Sequence, residues 1–462
     1  MSVSATGNHV EEEDVFDPAG HRRRHRFRLR QIHLNYVPPS STLTLADLGL
    51  KGTATSTPIA GSVPFPFLSR EGVLAYRRSI LRPEVIKACG QTYGAGTVVL
   101  RNLARHSKFV RDLWSHPETT RIVSEVAGVP LSVIMPTEMG HTNIQTSGST
   151  VEEMLEEIRV EPSSTKVEMT DAQREYDPLK ENSVIPWHYD SYPYVCVVML
   201  SDTTHMTGGE TYIKKGDGTA AKVEGPALGY AVILQGGQVE HLAARAFGST
   251  ERITTITSYC ANVDGLYDDS YISNVRPYAR LDELYPEWTA YRLEKMKREI
   301  ERMQRAVADA TSRGEPVPLE QLDRFAEQQI SYLRRTVRQM VSPALVRSVE
   351  QRFGVRAIHD AGQTWARVRA SPRFHELLPA AMESTRAWEE VSPYLADWHE
   401  TKAAIERGVA TDLGSQHGPF SWDRPVEEYT FGDELLRQGL KEVLLEWLDR
   451  TVLLALASEQ EQ

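Results

Sequence analysis

The stretch "PWHYDSYPYVCVVML", residues 186–200, sets Trp187, His188, Tyr189 and Asp190 ahead of an almost wholly apolar run. Successive side chains of a strand point to opposite faces, so His188 and Asp190 would share one face with Tyr189 turned away. An imidazole and a carboxylate would then converge at the mouth of a buried strand, where a carboxylate without a partner is costly. Alone, the H-x-D pattern is equally met by a strand-edge aspartate in water beside a packed histidine, so its meaning depends on what the rest of the chain brings to it.

Downstream come short strand-like runs punctuated by glycine: "YVCVVML", "GGETYI", "AAKVEG", "GYAVILQ", "VEHLAA" and "RITTITSY". Short strands at this spacing, with no helical pattern between them, predict an antiparallel sandwich or barrel and not a doubly wound parallel sheet. Within "ALGYAVILQGGQVEHLAARAFGSTERITTITSY", residues 227–259, a buried strand runs to Gln235, a Gly236-Gly237 turn follows, and His241 opens the next strand. Arg252 stands at the head of "RITTITSY", where strand alternation puts Arg252, Thr254, Ile256 and Ser258 on one face. A guanidinium at the mouth of an apolar strand calls for an anion, and its planar fork suits a carboxylate.

Two histidines and a carboxylate form the facial triad that holds non-haem Fe(II) and leaves positions open for other ligands. His188, Asp190, His241 and Arg252 stand in that order, with His241 53 positions after His188 and Arg252 11 after His241. In these residues, and in "PFPFLSREGV", "GGET" and "ALGYAVILQ", the chain resembles the Fe(II)/2-oxoglutarate-dependent oxygenases over about residues 62–262, most closely the phytanoyl-CoA dioxygenase-like branch. The resemblance implies a mainly β core with α additions, a double-stranded β-helix of the jelly-roll or cupin-like type flanked by N-terminal helices. It implies His188, Asp190 and His241 as catalytic metal ligands, with Arg252 and Thr254 on the far carboxylate of 2-oxoglutarate. Fe(II), 2-oxoglutarate as cosubstrate and O2 would be the cofactors. Hydroxylation of a C–H bond is the default reaction, with desaturation or cyclisation open. Asp190 argues against a halogenase, because halogenating relatives carry a small residue there.

"HTNIQ", residues 141–145, puts His141, Asn143 and Gln145 on one strand face, either for cross-strand hydrogen bonding or to line the cosubstrate or substrate pocket. Asn143 and Gln145 are taken as candidate cosubstrate contacts. His205, in the loop "SDTTHMTGG", reads as solvated, Lys222 as a surface charge, and Tyr189 and Tyr194 as core aromatics.

Around this core, residues 1–60 read as an irregular polar arm and residues 61–265 as the oxygenase domain. Residues 146–183, polar, acidic and nearly free of aromatics, read as an inserted lid. Residues 266–345 form a helical hairpin, with Leu293, Met296, Ile300, Met303 and Val307 as an amphipathic stripe broken by "GEPVP". Residues 346–462 continue as a C-terminal helical region, which could provide a homodimer seam.

The 462 residues carry a net charge of −11, which argues against nucleic acid as partner but not against a small anionic substrate. Cys89, Cys196 and Cys260 are far apart and odd in number, which suits a reducing compartment. No secretory h-region or membrane-length apolar segment is visible, so a cytoplasmic protein acting on a small molecule, such as an amino acid or specialised-metabolite intermediate, is expected. "HRRRHRFRLR", residues 21–30, reads as a solvated or locally paired arm beside "EEED", with targeting as the rival. Two other classes compete: a non-catalytic cupin-like binding or regulatory protein, favoured by the helical extension, and an iron oxidase that uses no 2-oxoglutarate and would leave Arg252 to a substrate carboxylate.

Overall fold

The computed structural model describes residues 15–18, 33–53, 55–92, 97–146, 153, 158–181, 183–272, 275 and 279–340. The arginine-rich residues 21–30 and the C-terminal region 346–462 lie outside them. The chain divides into two compact units, residues 1–272 with 278–330, and residues 273–277 with 331–462. The first carries the candidate site.

It opens with β1 (Thr42–Thr44), β2 (Ile59–Ser62) and β3 (Phe65–Pro66), then α1 (Arg70–Ile80) and α2 (Pro83–Cys89). Next come β4 (Gly90–Thr92), β5 (Thr97–Leu100), α3 (Leu103–His106), α4 (Lys108–Ser115) and α5 (Pro117–Ala127). β6 (Leu131–Val133), a 3-10 turn at Pro136–Glu138, β7 (His141–Thr146) and the short α6 (Asp171–Arg174) follow. The strand-rich part runs through β8 (Ile185–His188), β9 (Tyr194–Met199), β10 (Thr207–Gly208), β11 (Thr211–Lys214), β12 (Ala220–Val223), β13 (Tyr230–Leu234), β14 (His241–Ala243), β15 (Ala246–Phe247) and β16 (Glu251–Ala261). Two helices close the described part, α7 (Leu281–Ser312) and α8 (Leu319–Arg338), the latter crossing the boundary between units.

A large sheet has the order β1-β2-β13-β9-β16-β7-β5-β4, and a small one the order β12-β11-β14-β8; every pairing is antiparallel. β16 sorts its side chains by alternation. Ile253 and Tyr259 join the core formed with α1, α4 and α5, while Ile256 turns to the other face and packs with Val197, Val232 and Leu234 against Ile213 and Val223 of the small sheet. The space between the two sheets is therefore lined by the Arg252–Thr254–Ile256–Ser258 face. α1 starts at a Ser69 cap that accepts the Gly72 N–H, and Val73, Tyr76, Arg77 and Ile80 form its buried stripe. On the outer face of β16, Thr255 meets the Tyr76 hydroxyl at 2.6 Å.

Three segments differ from expectation. The arm up to residue 60 contains β1 and β2, which extend the large sheet through β13 because "TLT" and "IAGS" find a paired edge that sequence alone does not reveal. Of the inserted segment, Ile158 lies in the main core, the Val167 N–H donates to the Gly248 carbonyl at 3.0 Å, and the Tyr176 ring meets Phe247 edge-on. Along α7, Leu293 and Ile300 of the expected stripe are 48% and 39% exposed, whereas Leu284, Trp288, Arg292 and Met303 are buried. A buried ion pair, Arg292 Nη1 to Asp268 Oδ2 at 3.0 Å, brings a charged residue to the inner face and rotates the pattern. Among the described residues no helix is long and apolar enough to cross a membrane.

Candidate metal centre

His188 is the last residue of β8 and pairs directly with His241, the first of β14. Directly opposed antiparallel residues point the same way, so the two imidazoles face one space, their centroids 4.2 Å apart. Asp190 is not on the strand with His188. It lies in the turn that leaves the small sheet before β9 enters the large one, and its N–H donates to the Gly236 carbonyl at 2.9 Å. That hydrogen bond returns the carboxylate to the histidines: Oδ1 is 3.6 Å from His188 Nε2 and Oδ2 is 3.7 Å from His241 Nε2.

One ligand atom from each of His188, Asp190 and His241 falls within 4.8 Å of the other two, the single such cluster of three among the described residues. The electrostatics suit a cation. Burial, reinforced by His188, pushes His241 down to about 4, so its imidazole is neutral at physiological pH. Its Nδ1 lies 3.0 Å from the Val239 carbonyl, which fixes the N–H on that nitrogen and leaves the Nε2 lone pair facing Asp190. For Asp190 burial acts upward, but the imidazoles of His241 and His188 hold its carboxyl below the usual range. Asp190 Oδ2 is enclosed without a hydrogen-bond partner among the described residues. An ionised oxygen in that position costs free energy unless something positive meets it. Two nitrogen donors and one carboxylate this close together are the donor set of a 2-His-1-carboxylate metal site.

Across the intersheet space, Arg252 near the start of β16 is opposite Gln145 of β7, and Thr254 is opposite Asn143. All four candidate cosubstrate residues thus share one patch of the large sheet. Arg252 Nη2 makes a long 3.4 Å hydrogen bond to the Gly209 carbonyl, just before β11 of the small sheet, while its Nε is enclosed and unpartnered among the described residues. Burial lowers its pKa to about 10, which leaves it charged at neutral pH. Gly209 is required here: its φ is +80°, and a Cβ would stand 3.2 Å from Arg252 Nε.

The remaining candidates separate cleanly. Lys222 pairs with Glu210 and Glu224 at 3.1 and 3.2 Å. Tyr194 is buried, its hydroxyl on that of Thr57. Sequence reasoning missed Gly236 as a site residue, and also Arg101, which acts on His141 and pairs with Glu138, together with Glu138 itself and Tyr192, on which Glu138 acts.

Comparison with protein-family models and with curated proteins finds no match. Among solved structures the chain is similar to an oxidoreductase of the 2OG-Fe(II) oxygenase family from Burkholderia pseudomallei, at 12% identity over 50% of this chain and 95% of that one, with a TM-score of 0.28. It is similar to HygX from Streptomyces hygroscopicus, solved with nickel, 2-oxoglutarate and hygromycin B, at 16% identity over 45% and 85%, with a TM-score of 0.27. It is also similar to SnoK, a non-haem α-ketoglutarate-dependent carbocyclase from nogalamycin biosynthesis, at 17% identity over 48% and 87%, with a TM-score of 0.29.

Proposed function

We propose that this chain is a non-haem Fe(II)/2-oxoglutarate-dependent oxygenase of the phytanoyl-CoA dioxygenase-like branch, built on a double-stranded β-helix and oxidising a C–H bond of a small molecule. The observation that carries this reading is a pair of opposite unmet charges across one intersheet space: an enclosed Asp190 carboxylate oxygen beside two imidazoles, and a half-buried Arg252 guanidinium whose Nε is enclosed and which has no carboxylate within 4.0 Å among the described residues. A cation answers the first and a carboxylate the second. 2-Oxoglutarate, which chelates iron at its keto-acid end and carries a carboxylate at the other, answers both with one molecule.

In this reading His188, Asp190 and His241 hold Fe(II), which when bound activates O2 while decarboxylation of 2-oxoglutarate supplies two electrons. His241 is kept in the ligating tautomer by the Val239 carbonyl. Arg252 takes the far carboxylate, with Thr254, Asn143 and Gln145 as hydrogen-bonding neighbours on the same sheet face. Hydroxylation is the default outcome, and cyclisation or desaturation is compatible with the same ligands. The buried thiols of Cys89, Cys196 and Cys260 support a reducing, cytoplasmic location.

The test is an anaerobic titration of the purified chain with Fe(II) and then 2-oxoglutarate. The visible charge-transfer band of the chelate should appear for the wild type and be lost in His188→Ala and His241→Ala. A chain that binds Fe(II) but shows neither the band nor 2-oxoglutarate consumption would instead be an iron oxidase or a binding protein.

A further inference from the structure

A second polar cluster shares the intersheet face with Arg252. β7 and β16 set Gln145 opposite Arg252 and His141 opposite Ile256, so His141 lies four residues from the Arg252 register, about 13 Å along the sheet. Arg101, just beyond β5, reaches Glu138 in the turn before β7, its Nη1 donating to both carboxylate oxygens at 3.0 and 3.2 Å. Glu138 is only 2% exposed. Ser258, on the same face of β16 as Arg252, acts to hold the Glu138 carboxyl down, against the burial that pushes it up. Tyr192, in the turn after Asp190, is buried, and burial and then the Glu138 carboxylate push its hydroxyl up.

Three atoms of this cluster lack partners. Arg101 Nε, His141 Nδ1 and the Tyr192 hydroxyl oxygen are each enclosed with no hydrogen bond among the described residues. Leaving such an atom unsatisfied costs free energy that a hydrogen-bonding ligand would recover. Both Arg101 and Asp190 act electrostatically on His141, so the imidazole feels this cluster and the metal centre alike.

We infer that His141, Arg101, Glu138 and Tyr192 form the recognition subsite for the primary substrate, and that they bind an uncharged hydrogen-bonding group of it, a hydroxyl or an amide. The inference rests on the oxygenase reading, in which Arg252 already holds the far end of the cosubstrate. A patch about 13 Å along the sheet is then left for another molecule. The preference for an uncharged group follows from charge balance. Arg101 and Glu138 neutralise one another, so a carboxylate or ammonium would enter an enclosed site without a countercharge, whereas an amide or hydroxyl can both donate and accept. Burial, then Arg101, also keeps His141 well below its usual pKa, so that it too is uncharged.

The experiment uses the full chain labelled with 13C in its histidine rings, with the His141 signal identified by its absence in His141→Phe. Acetamide and methyl glucoside serve as uncharged probes and acetate as the charged one. The expected result is a saturable shift of the His141 signal with at least one uncharged probe, about tenfold weaker in Tyr192→Phe, and a much weaker response to acetate. In parallel, 2-oxoglutarate affinity is measured by calorimetry with Mn(II) present, and should be unchanged in Tyr192→Phe and His141→Phe. No shift with either uncharged probe, or acetate binding as tightly as acetamide, would overturn the proposal. Loss of 2-oxoglutarate affinity in both variants would assign the cluster to the cosubstrate instead. A wild type that binds acetamide at His141 but never binds 2-oxoglutarate would overturn the oxygenase reading and leave the subsite standing.

Discussion

Gly236 lies where any side chain would strike Asp190: a Cβ built on it would stand 1.8 Å from Asp190 Oδ2, while its own carbonyl accepts the Asp190 N–H at 2.9 Å. The same glycine therefore sets the position of the carboxylate and keeps clear the space into which it points. Gly236→Ala should displace the carboxylate without unfolding the chain. Metal affinity, read by calorimetry with Mn(II), should fall about 10–100-fold, the range seen when the support of a ligand is removed, and Asp190→Ala should lose at least as much. Wild-type affinity in Gly236→Ala would show that the carboxylate is not a ligand.

The cysteines give an inexpensive check on the core. Burial pushes the Cys89 thiol up to about 12 and drives Cys196 and Cys260 upward as well. At pH 8 all three should be protonated and enclosed, so the native protein should not react with a thiol reagent, and denaturant should release all three together. Rapid labelling of Cys196 in the native chain would contradict its place between β9 and the helices.

Local alternation made β16 legible in the sequence, since a single pattern in "RITTITSY" separates Arg252, Thr254 and Ile256 from Ile253 and Tyr259. His241 was legible as the head of its strand, whereas His188 closes β8 and does not head the apolar run, which is the separate strand β9 of the other sheet. Asp190 was found by its spacing, but the reason for its position was not legible: it owes its direction to Gly236, 46 residues away, and not to a shared strand face. Of the second polar cluster only His141 could be read. Arg101, Glu138 and Tyr192 come from the ends of unrelated elements and meet only when β5, β7 and the Asp190 turn are assembled. The stripe on α7 misled because periodicity assumes apolar residues face inward, whereas Asp268 draws Arg292 to the buried face.

The Arg77–Glu251 pair holds α1 to the head of β16, one residue before Arg252. Arg77 Nη1 stands 2.7 Å from Glu251 Oε1, Nη2 donates to Oε2 at 3.0 Å, and Nη1 also reaches the Leu200 carbonyl at 2.8 Å. Both side chains are buried, so removing one partner strands the other charge. Arg77→Met should destabilise the protein by about 3–5 kcal/mol in denaturant unfolding, and Arg77→Met with Glu251→Leu should recover part of that loss. A single variant within about 1 kcal/mol of wild type would mean the pair is solvated in solution.

Arg252 should respond in the opposite direction. Burial lowers its pKa from its ordinary value to about 10, so at pH 7 it is charged in both folded and unfolded chains, and the folded chain bears the cost of enclosing that charge. The penalty is present at all pH values below about 10 and is relieved only as the pH rises through the folded pKa towards the unfolded one. Arg252→Met should therefore melt no lower than wild type in the absence of 2-oxoglutarate, unlike Arg77→Met. With the cosubstrate the order should reverse. At about 100 times its dissociation constant a ligand stabilises by about 2.7 kcal/mol, and wild type should show that shift with Mn(II) and 2-oxoglutarate. Arg252→Met should lose most of it, because losing a charge-assisted bidentate bond costs about 2–5 kcal/mol, or roughly thirtyfold or more in affinity. Arg252→Lys should recover only part, since a point charge cannot reproduce the fork. A variant that melts well below wild type when empty would make Arg252 a structural residue. One that keeps the full 2-oxoglutarate shift would place the far carboxylate elsewhere.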